Sequence, residues 1–432
     1  MELEVLPARH GDCMLLHFGR DDAPKVALID GGPAGVYKET LLPRLEQLRL
    51  ERGLPDGQPL VIEMLIISHI DDDHVNGVIR LLRDMKKDAD NGDPPRFRIR
   101  RLWHNSFDDI IGNSETESRA ALNDQFGTAS AGVQDIPEDL LEDHRDWQVL
   151  ASISQGHQIR ELAESLGIPS NPDFGGNLIQ APDDDDDFLD QIELDGVTFT
   201  VLGPLTRELK ELEEKHDKWL KKEQKKRDSG EATLAAFDDT SVANLSSIVL
   251  LADDGEKRYL LTGDARGDKI IEAFRARDDL GETGGDDGSN RCDECGAEID
   301  DNGRAIGPAL GDSDEKTLTV DLLKVPHHGS DRNVTVGFFE AIPASMYVLS
   351  GNGGHGNPER DCLEWIEEAR AGKPYTLQFT YSLKAIDERR KRLMEKGHHA
   401  GDEPFDDAKH GVGAFVRGLP DRVTILAPEP ED

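Results

Sequence analysis

One run of six residues constrains this chain more than any other feature: His69-Ile70-Asp71-Asp72-Asp73-His74, which Ser68 alone separates from Val61-Ile62-Glu63-Met64-Leu65-Ile66-Ile67. The seven residues before it, apolar but for Glu63, read as a buried strand. The histidines and aspartates are then delivered to a strand end, where open α/β sheets place their sites. Imidazoles and carboxylates concentrated at such a point are what adjacent divalent cations need. The competing reading is a polar cap on the apolar helix expected over Val75 to Met85, with Asp73 favouring its N-terminus. Two further fragments weigh against it.

Tyr259-Leu260-Leu261-Thr262-Gly263-Asp264 reads as a strand ending in a turn that presents one carboxylate, a residue type able to bridge two cations. By itself this is a common strand-turn signature. Asp321-Leu322-Leu323-Lys324-Val325-Pro326 leads in the same way into His327-His328-Gly329-Ser330, and adjacent buried histidines are seldom needed for packing.

Around these fragments the pattern predicts one large α/β domain over 1–372, with 373–432 as an extension that completes or caps it. A two-strand hairpin is expected within residues 1–33 and a helix over 36–53, stopped at Gly53. Polar insertions are expected over about 104–190, ending in the acidic run Asp183 to Asp187, and over about 278–316. An exposed charged helix is expected over 206–228, and a last strand over Val423 to Leu426. Cys292 and Cys295 have the spacing of half a zinc ribbon without a second half nearby, so a shared zinc site and two free thiols both stay open.

The formal net charge of −38 would repel a polyanion unless cations and local basic clusters reverse the field at the site. A salt-adapted source would produce the same acidic surface. No apolar stretch has the length to span a bilayer and the N-terminus lacks the basic start of a signal peptide. Four scattered cysteines do not make a secreted disulfide framework. A cytoplasmic protein without membrane contact is therefore expected.

Taken in order, these fragments, with the opening Gly11-Asp12-Cys13 and the turn Ile29-Asp30-Gly31-Gly32, resemble the metallo-β-lactamase superfamily over roughly residues 1–370. The similarity is to the branch with HxDxDH, TGD and HHGS motifs, which includes the hydrolase domains of DNA-uptake competence channels and teichoic-acid phosphorylcholine esterases. The resemblance implies a four-layer αβ/βα sandwich with two divalent metal ions in a cleft. It implies that His69 and Asp71 hold one metal, that Asp73 and His74 hold the other, and that Asp264 bridges them. His328 would complete the second metal's shell as a ligand, and His327 would face the scissile group. Asp71 stands where the superfamily more often has histidine, which hardens the site toward oxygen ligands and makes Mn²⁺ as suitable as Zn²⁺. The third histidine usual before the bridging aspartate is missing. Asn244 is the nearest polar residue, and His104 and His157 are the alternatives. Ser350-Gly351-Asn352-Gly353-Gly354-His355-Gly356-Asn357-Pro358 resembles a segment lining the same cleft, where His355 would contact phosphate or act as a general acid; a plain strand-to-helix turn is the other reading.

The expected function is that of a metal-dependent hydrolase, first a phosphodiesterase or nuclease, with a small phosphodiester close behind nucleic acid as substrate. Lactone, thioester or β-lactam hydrolysis is the second class. A binding protein or partner-gated effector with a degenerate metal site is the third. The resemblance to stand-alone proteins of this branch in bacterial defence operons implies protein partners.

Overall fold

The computed structural model describes residues 1–105, 145–182, 190–211, 244, 246–277, 279–280, 316–395 and 404–429, with side chains in the second segment described from 155 onward. The architecture is mixed α/β. Ala23–Ile29 (β3) pairs antiparallel with Met14–Arg20 (β2), itself antiparallel to Glu2–Val5 (β1). Leu60–Ile62 (β4) pairs with Phe97–Ile99 (β6) as a separate two-stranded sheet. Met64–Ile66 (β5) and Leu102–Trp103 (β7) continue the first sheet in parallel, giving the order β1-β2-β3-β5-β7.

The second sheet has eight strands. Gln191–Leu194 (β8), Val197–Gly203 (β9), Val249–Asp253 (β10) and Arg258–Leu261 (β11) run antiparallel. Val320–Lys324 (β12), Ala344–Leu349 (β13), Tyr375–Phe379 (β14) and Val423–Leu426 (β15) continue in parallel from β11. The last two come from the segment after 372, so that segment supplies the outer strands of the sheet.

Period-two alternation gives the first sheet two buried faces. Met14, Leu16, Phe18, Ala27, Ile29, Met64 and Ile66 share a core with Val197, Phe199 and Val201 of the second sheet. Phe18 and Trp103 both meet Phe199 edge-on, with centroids 6.1 and 5.9 Å away. Leu15, Val26, Leu28 and Leu65 point the other way. They pack with helices Leu42–Glu51 (α1), Asp72–Asn91 (α2) and Arg145–Ser165 (α3), through Leu45, Val75, Val78 and Ile159 among others.

Three sequence expectations need correction. The hairpin within 1–33 is a three-strand meander, because Glu2–Val5 also pairs. The single strand over 61–67 is two short strands in different sheets. They part at Glu63, a buried acid that draws in Lys25, Arg100 and Arg101 at 3.3, 3.2 and 3.5 Å; a buried carboxylate has to be paired, and the chain steps between sheets there. The helix expected over Val75 to Met85 begins at Asp72, inside the motif, and continues to Asn91, where Gly92 ends it at φ 74°. Residues 206–211 are helical. The rest of the charged helix expected there, the Asp183 to Asp187 run, residues 106–144 of the first insertion and Cys292 with Cys295 lie outside the described residues.

α2 seats the His/Asp run by very close backbone approach. A methyl group on Gly77 would lie 1.9 Å from the carbonyl oxygen of Gly31, and one on Gly11 1.8 Å from that of Asp73. The Gly77 N–H donates to Gly32 O and the Gly31 N–H to His74 O, at 3.0 and 2.7 Å. Gly77→Ala should push α2 off the Asp30–Gly32 turn and cost about 1–3 kcal/mol of stability, read as a lower midpoint in denaturant. An unchanged midpoint would show that the turn yields freely.

Candidate metal centre

The site is assembled from strand ends. β5 leads into Ser68 to His74, β11 into Thr262 to Asp264, and β12 into Val325 to Ser330. The loop before β2 adds Asp12, and the end of β3 adds Asp30. Five residues of this neighbourhood other than glycine, Arg9, Asp30, His327, His328 and His355, have left-handed backbone with φ between 49° and 59°. Such conformations cost energy and persist where the surroundings impose them, commonly at functional sites.

Asp264 is the hub, and it is buried. Its Oδ1 lies 3.4 Å from His74 Nε2 and 3.6 Å from His328 Nε2. Its Oδ2 lies 3.5 Å from His327 Nε2 and 4.0 Å from His69 Nε2. Asp73 reaches into the Oδ1 side, 3.7 Å from His74 Nε2 and 3.6 Å from His328 Nε2. The structure thus brings His69, Asp73, His74, Asp264, His327 and His328 together.

Each imidazole is aimed by its other nitrogen. His74 Nδ1 sits 2.9 Å from Asp30 Oδ2, and Asp30 is held in turn by the Ser68 N–H and hydroxyl at 2.8 and 2.7 Å. His69 Nδ1 lies 3.1 Å from Ser68 Oγ. His328 Nδ1 lies 3.0 Å from Ser350 Oγ and 3.2 Å from Asp12 Oδ1. His327 Nδ1 lies 2.9 Å from Asn333 Oδ1, whose amide nitrogen donates to Asp264 O at 2.9 Å. Outer partners of this kind are how proteins orient metal-binding histidines. Consistent with that, His69 Nε2, His74 Nε2, His328 Nε2 and Asp264 Oδ1 are buried without a hydrogen-bond partner among the described residues. Buried polar atoms are almost always satisfied, so four such atoms converging on one space fit a cation.

Asp12, His74, Asp264 and His328 also offer ligand atoms within 4.8 Å of one another. Asp12 faces the outer nitrogen of His328, however, and its Oδ2 lies 2.5 Å from the fully buried Lys324 Nζ. It therefore fits an orienting role better than Asp73 does, and Asp73 fits the inner place. Asp71 is the N-cap of α2, its Oδ1 accepting from Asp72 N–H at 2.7 Å. The helix-cap reading thus belongs to Asp71, and Asp73 lies two residues further on, within the first turn.

The electrostatics match a site crowded with charge. Burial, with the neighbouring His74, drives His69 down to about 3. Burial also opposes charge on His74 and His328, yet the carboxylates outweigh it. Asp264, Asp73 and Asp30 hold His74 well above its ordinary range, and Asp264 with Asp12 lifts His328 to about 9. Burial and the charges of Asp73 and Asp72 raise Asp71 to about 8.

The remaining candidates lie further out. Asn244 Nδ2 is 3.4 Å from His327 Nδ1, on the outer side of that ring. His157 pairs with Glu161 along α3. His104 follows β7 and is tied to Asn171 through its N–H and carbonyl, at 2.9 and 2.8 Å. His355 is exposed, its ring 5.0 Å from that of His10. Sequence reasoning quoted Asp12, Asp30 and Ser350 only as parts of turns and Lys324 only as part of a strand. Their signal was a polar residue at the edge of an apolar run, which many solvent-facing residues share. No protein-family model and no curated protein matches the chain.

Two outcomes follow from this geometry. Asp12→Ala leaves Lys324 buried and uncompensated and should cost about 3–5 kcal/mol, much of it recovered in Asp12→Ala/Lys324→Met; equal stabilities by denaturant titration would contradict the pairing. In the metal-free protein the raised His328 contributes stability that is complete below its ordinary 6.5 and is lost as pH rises through about 9. A cation must displace that proton, so calorimetric titration with Zn²⁺ or Mn²⁺ should show tighter binding toward pH 9, with proton release. An affinity flat across this window would argue against these ligands.

Proposed function

We propose that the chain is a metal-dependent phosphodiesterase of the metallo-β-lactamase fold, with a dinuclear centre bridged by Asp264. The observation that carries this is the division of the Asp264 carboxylate. One oxygen faces His74 and His328, the other faces His69 and His327, and the inward nitrogens of three of these four rings have no hydrogen-bond partner among the described residues. The two sheets share one core, and helices cover the far face of the first, which supports a four-layer αβ/βα sandwich.

In this reading His74, His328 and Asp73 hold one cation, and His69 and His327 hold the other. His327 thereby takes the place of the histidine missing from the motif, with Asn244 behind it, and its role as a group facing the scissile bond gives way to that of a ligand. Asp71 lies beside the first centre as the helix cap. The donor set mixes nitrogen and oxygen and suits Zn²⁺ or Mn²⁺. Bound divalent cations supply Lewis-acid stabilisation of phosphoryl oxygens and activate water for in-line attack. The chain's own part is to fix the imidazoles through Asp30, Ser68, Asn333, Ser350 and Asp12, and to present His355 at the mouth of the site. A nucleic-acid phosphodiester is the first substrate and a small phosphodiester the second. No helix among the described residues is long and apolar enough to cross a membrane, and protein partners remain a proposal of the resemblance alone.

The test is hydrolysis of bis-p-nitrophenyl phosphate and of plasmid DNA with Mn²⁺ or Zn²⁺ added. Turnover should require metal and fall by more than about 100-fold in Asp73→Ala/His74→Ala. Cleavage of plasmid as well identifies a nuclease. No turnover with metal verifiably bound sinks the constitutive phosphodiesterase and leaves a partner-gated effector or a non-phosphate substrate such as a lactone or thioester.

A further inference from the structure

Beside the His/Asp cluster, three nitrogen-bearing side chains from distant parts of the chain meet. His10 comes from the loop before β2 and His355 from the glycine-rich loop after β13. Arg389 comes from the helix Leu383–Glu395 (α7), which follows Gly267–Arg275 (α4), Val336–Ala341 (α5) and Arg360–Ala369 (α6) along the chain. The His10 and His355 rings are 5.0 Å apart, edge to face. A methyl group on Gly354 would lie 3.0 Å from His10 Cβ and 3.8 Å from Arg389 Nε, and one on Gly353 would lie 2.3 Å from the Ile386 carbonyl oxygen. The two glycines therefore let the loop lie flat against α7 and bring its histidine beside the arginine. The loop is tied to the cluster at both ends, with Ser350 Oγ 3.0 Å from His328 Nδ1 and Asn357 Nδ2 donating to His327 O at 3.1 Å, so the group borders the cluster; burial drives His10 down to about 3, which leaves its ring a neutral hydrogen-bonding partner beside the arginine.

Arg389 Nε is buried without a hydrogen-bond partner among the described residues. The nearby acids are engaged elsewhere. Asp387 accepts from the N–H groups of Val412 and Gly413, Glu359 accepts from Asp331 N–H and lies 4.0 Å from Arg390, and Glu388 lies 3.9 Å from Lys384. A guanidinium held this way, with two imidazoles beside it, matches the oxygens of a tetrahedral dianion. On a chain with a net charge of −38, an anionic substrate needs such a local reversal of field to approach the site.

We propose that His10, His355 and Arg389 form a phosphate subsite next to the metal centre, which takes a phosphoryl group flanking the scissile one. The subsite favours substrates with two neighbouring phosphates, as in a nucleic-acid strand or a terminally phosphorylated diester, over an isolated diester. Its place beside the scissile bond rests on the phosphodiesterase reading, whereas anion binding is measurable without turnover.

Calorimetric titration with inorganic phosphate tests it on the full chain, metal-loaded and after EDTA treatment, for the native protein, Arg389→Ala, Arg389→Lys and His10→Ala. Circular dichroism and metal content report folding and loading. Phosphate affinity should fall about tenfold in Arg389→Ala in both metal states, less in Arg389→Lys, with metal content unchanged. Absence of phosphate binding by the native protein overturns the subsite, as does binding indifferent to Arg389 and His10. Binding that vanishes with EDTA and ignores Arg389 places the anion on the metals alone, which removes the subsite and spares the phosphodiesterase. Arg389-dependent phosphate binding in a protein without hydrolytic activity does the reverse.

Discussion

A carboxylate removed from water loses several kcal/mol of hydration unless opposite charge replaces it. Asp264 is buried at the junction of the two sheets, and Asp73 and Asp30 lie beside it. The histidines around them answer only part of that demand. Burial drives His69 toward its neutral form, while the acids that His74 and His328 face shift both toward their charged form. The proposed divalent cations on the two sides of Asp264 would relieve both problems, because they would balance the carboxylates and take ring nitrogens that have no other partner among the described residues. Much of the surrounding architecture keeps this charge in place: the close seating of α2 on the Asp30 turn, the left-handed backbone at His327 and His328, and the outer hydrogen-bond partner of every ring.

The same constraint accounts for the fully buried pair of Asp12 and Lys324. A buried ion pair is weak evidence for stability, because packed apolar residues often serve as well. Here the pair has a second effect. Lys324 is the last residue of β12, three positions before His327, and Asp12 stands against the outer nitrogen of His328. The lysine keeps that carboxylate charged in a dry place, and the carboxylate sets the direction of the imidazole.

The division of labour between the sheets is physical as well. The first sheet, buried on both faces, is a rigid platform whose strand ends carry His69, His74 and Asp30. The second supplies Asp264, His327 and His328 from adjacent parallel strands, whose loops emerge at the same edge. Its outer strands and α7 come from the end of the chain, and through α7 that segment reaches the glycine-rich loop of His355. A region that reads as an appendage in one dimension thus closes one side of the site.

How much of this was legible in the chain differs by residue. The His69 to His74 run, Asp264 and the His327-His328 pair stood out because each follows an apolar run that reads as a buried strand, and the structure gathers His69, Asp73, His74, His327 and His328 around the Asp264 carboxylate. Asp71 could not be told from its neighbours, since whether an aspartate caps a helix or faces a cavity depends on where the helix begins, and that was set by the packing of Gly77 on Gly31. The break at Glu63 was hidden because a seven-residue apolar run has the same pattern whether it serves one sheet or two; ion pairs with Lys25, Arg100 and Arg101 decided it. The position of His327 against Asp264 Oδ2, the pairing of Asp12 with Lys324, and the approach of Arg389 to His10 join residues between about 60 and 380 positions apart. Local sequence determines which strand ends bear ligands, because apolar runs and the polar residues after them are local facts. Which ligands share a centre, and which charges stand behind them, only the tertiary structure decides, because desolvated charges find their partners across space and carry no mark of it along the chain.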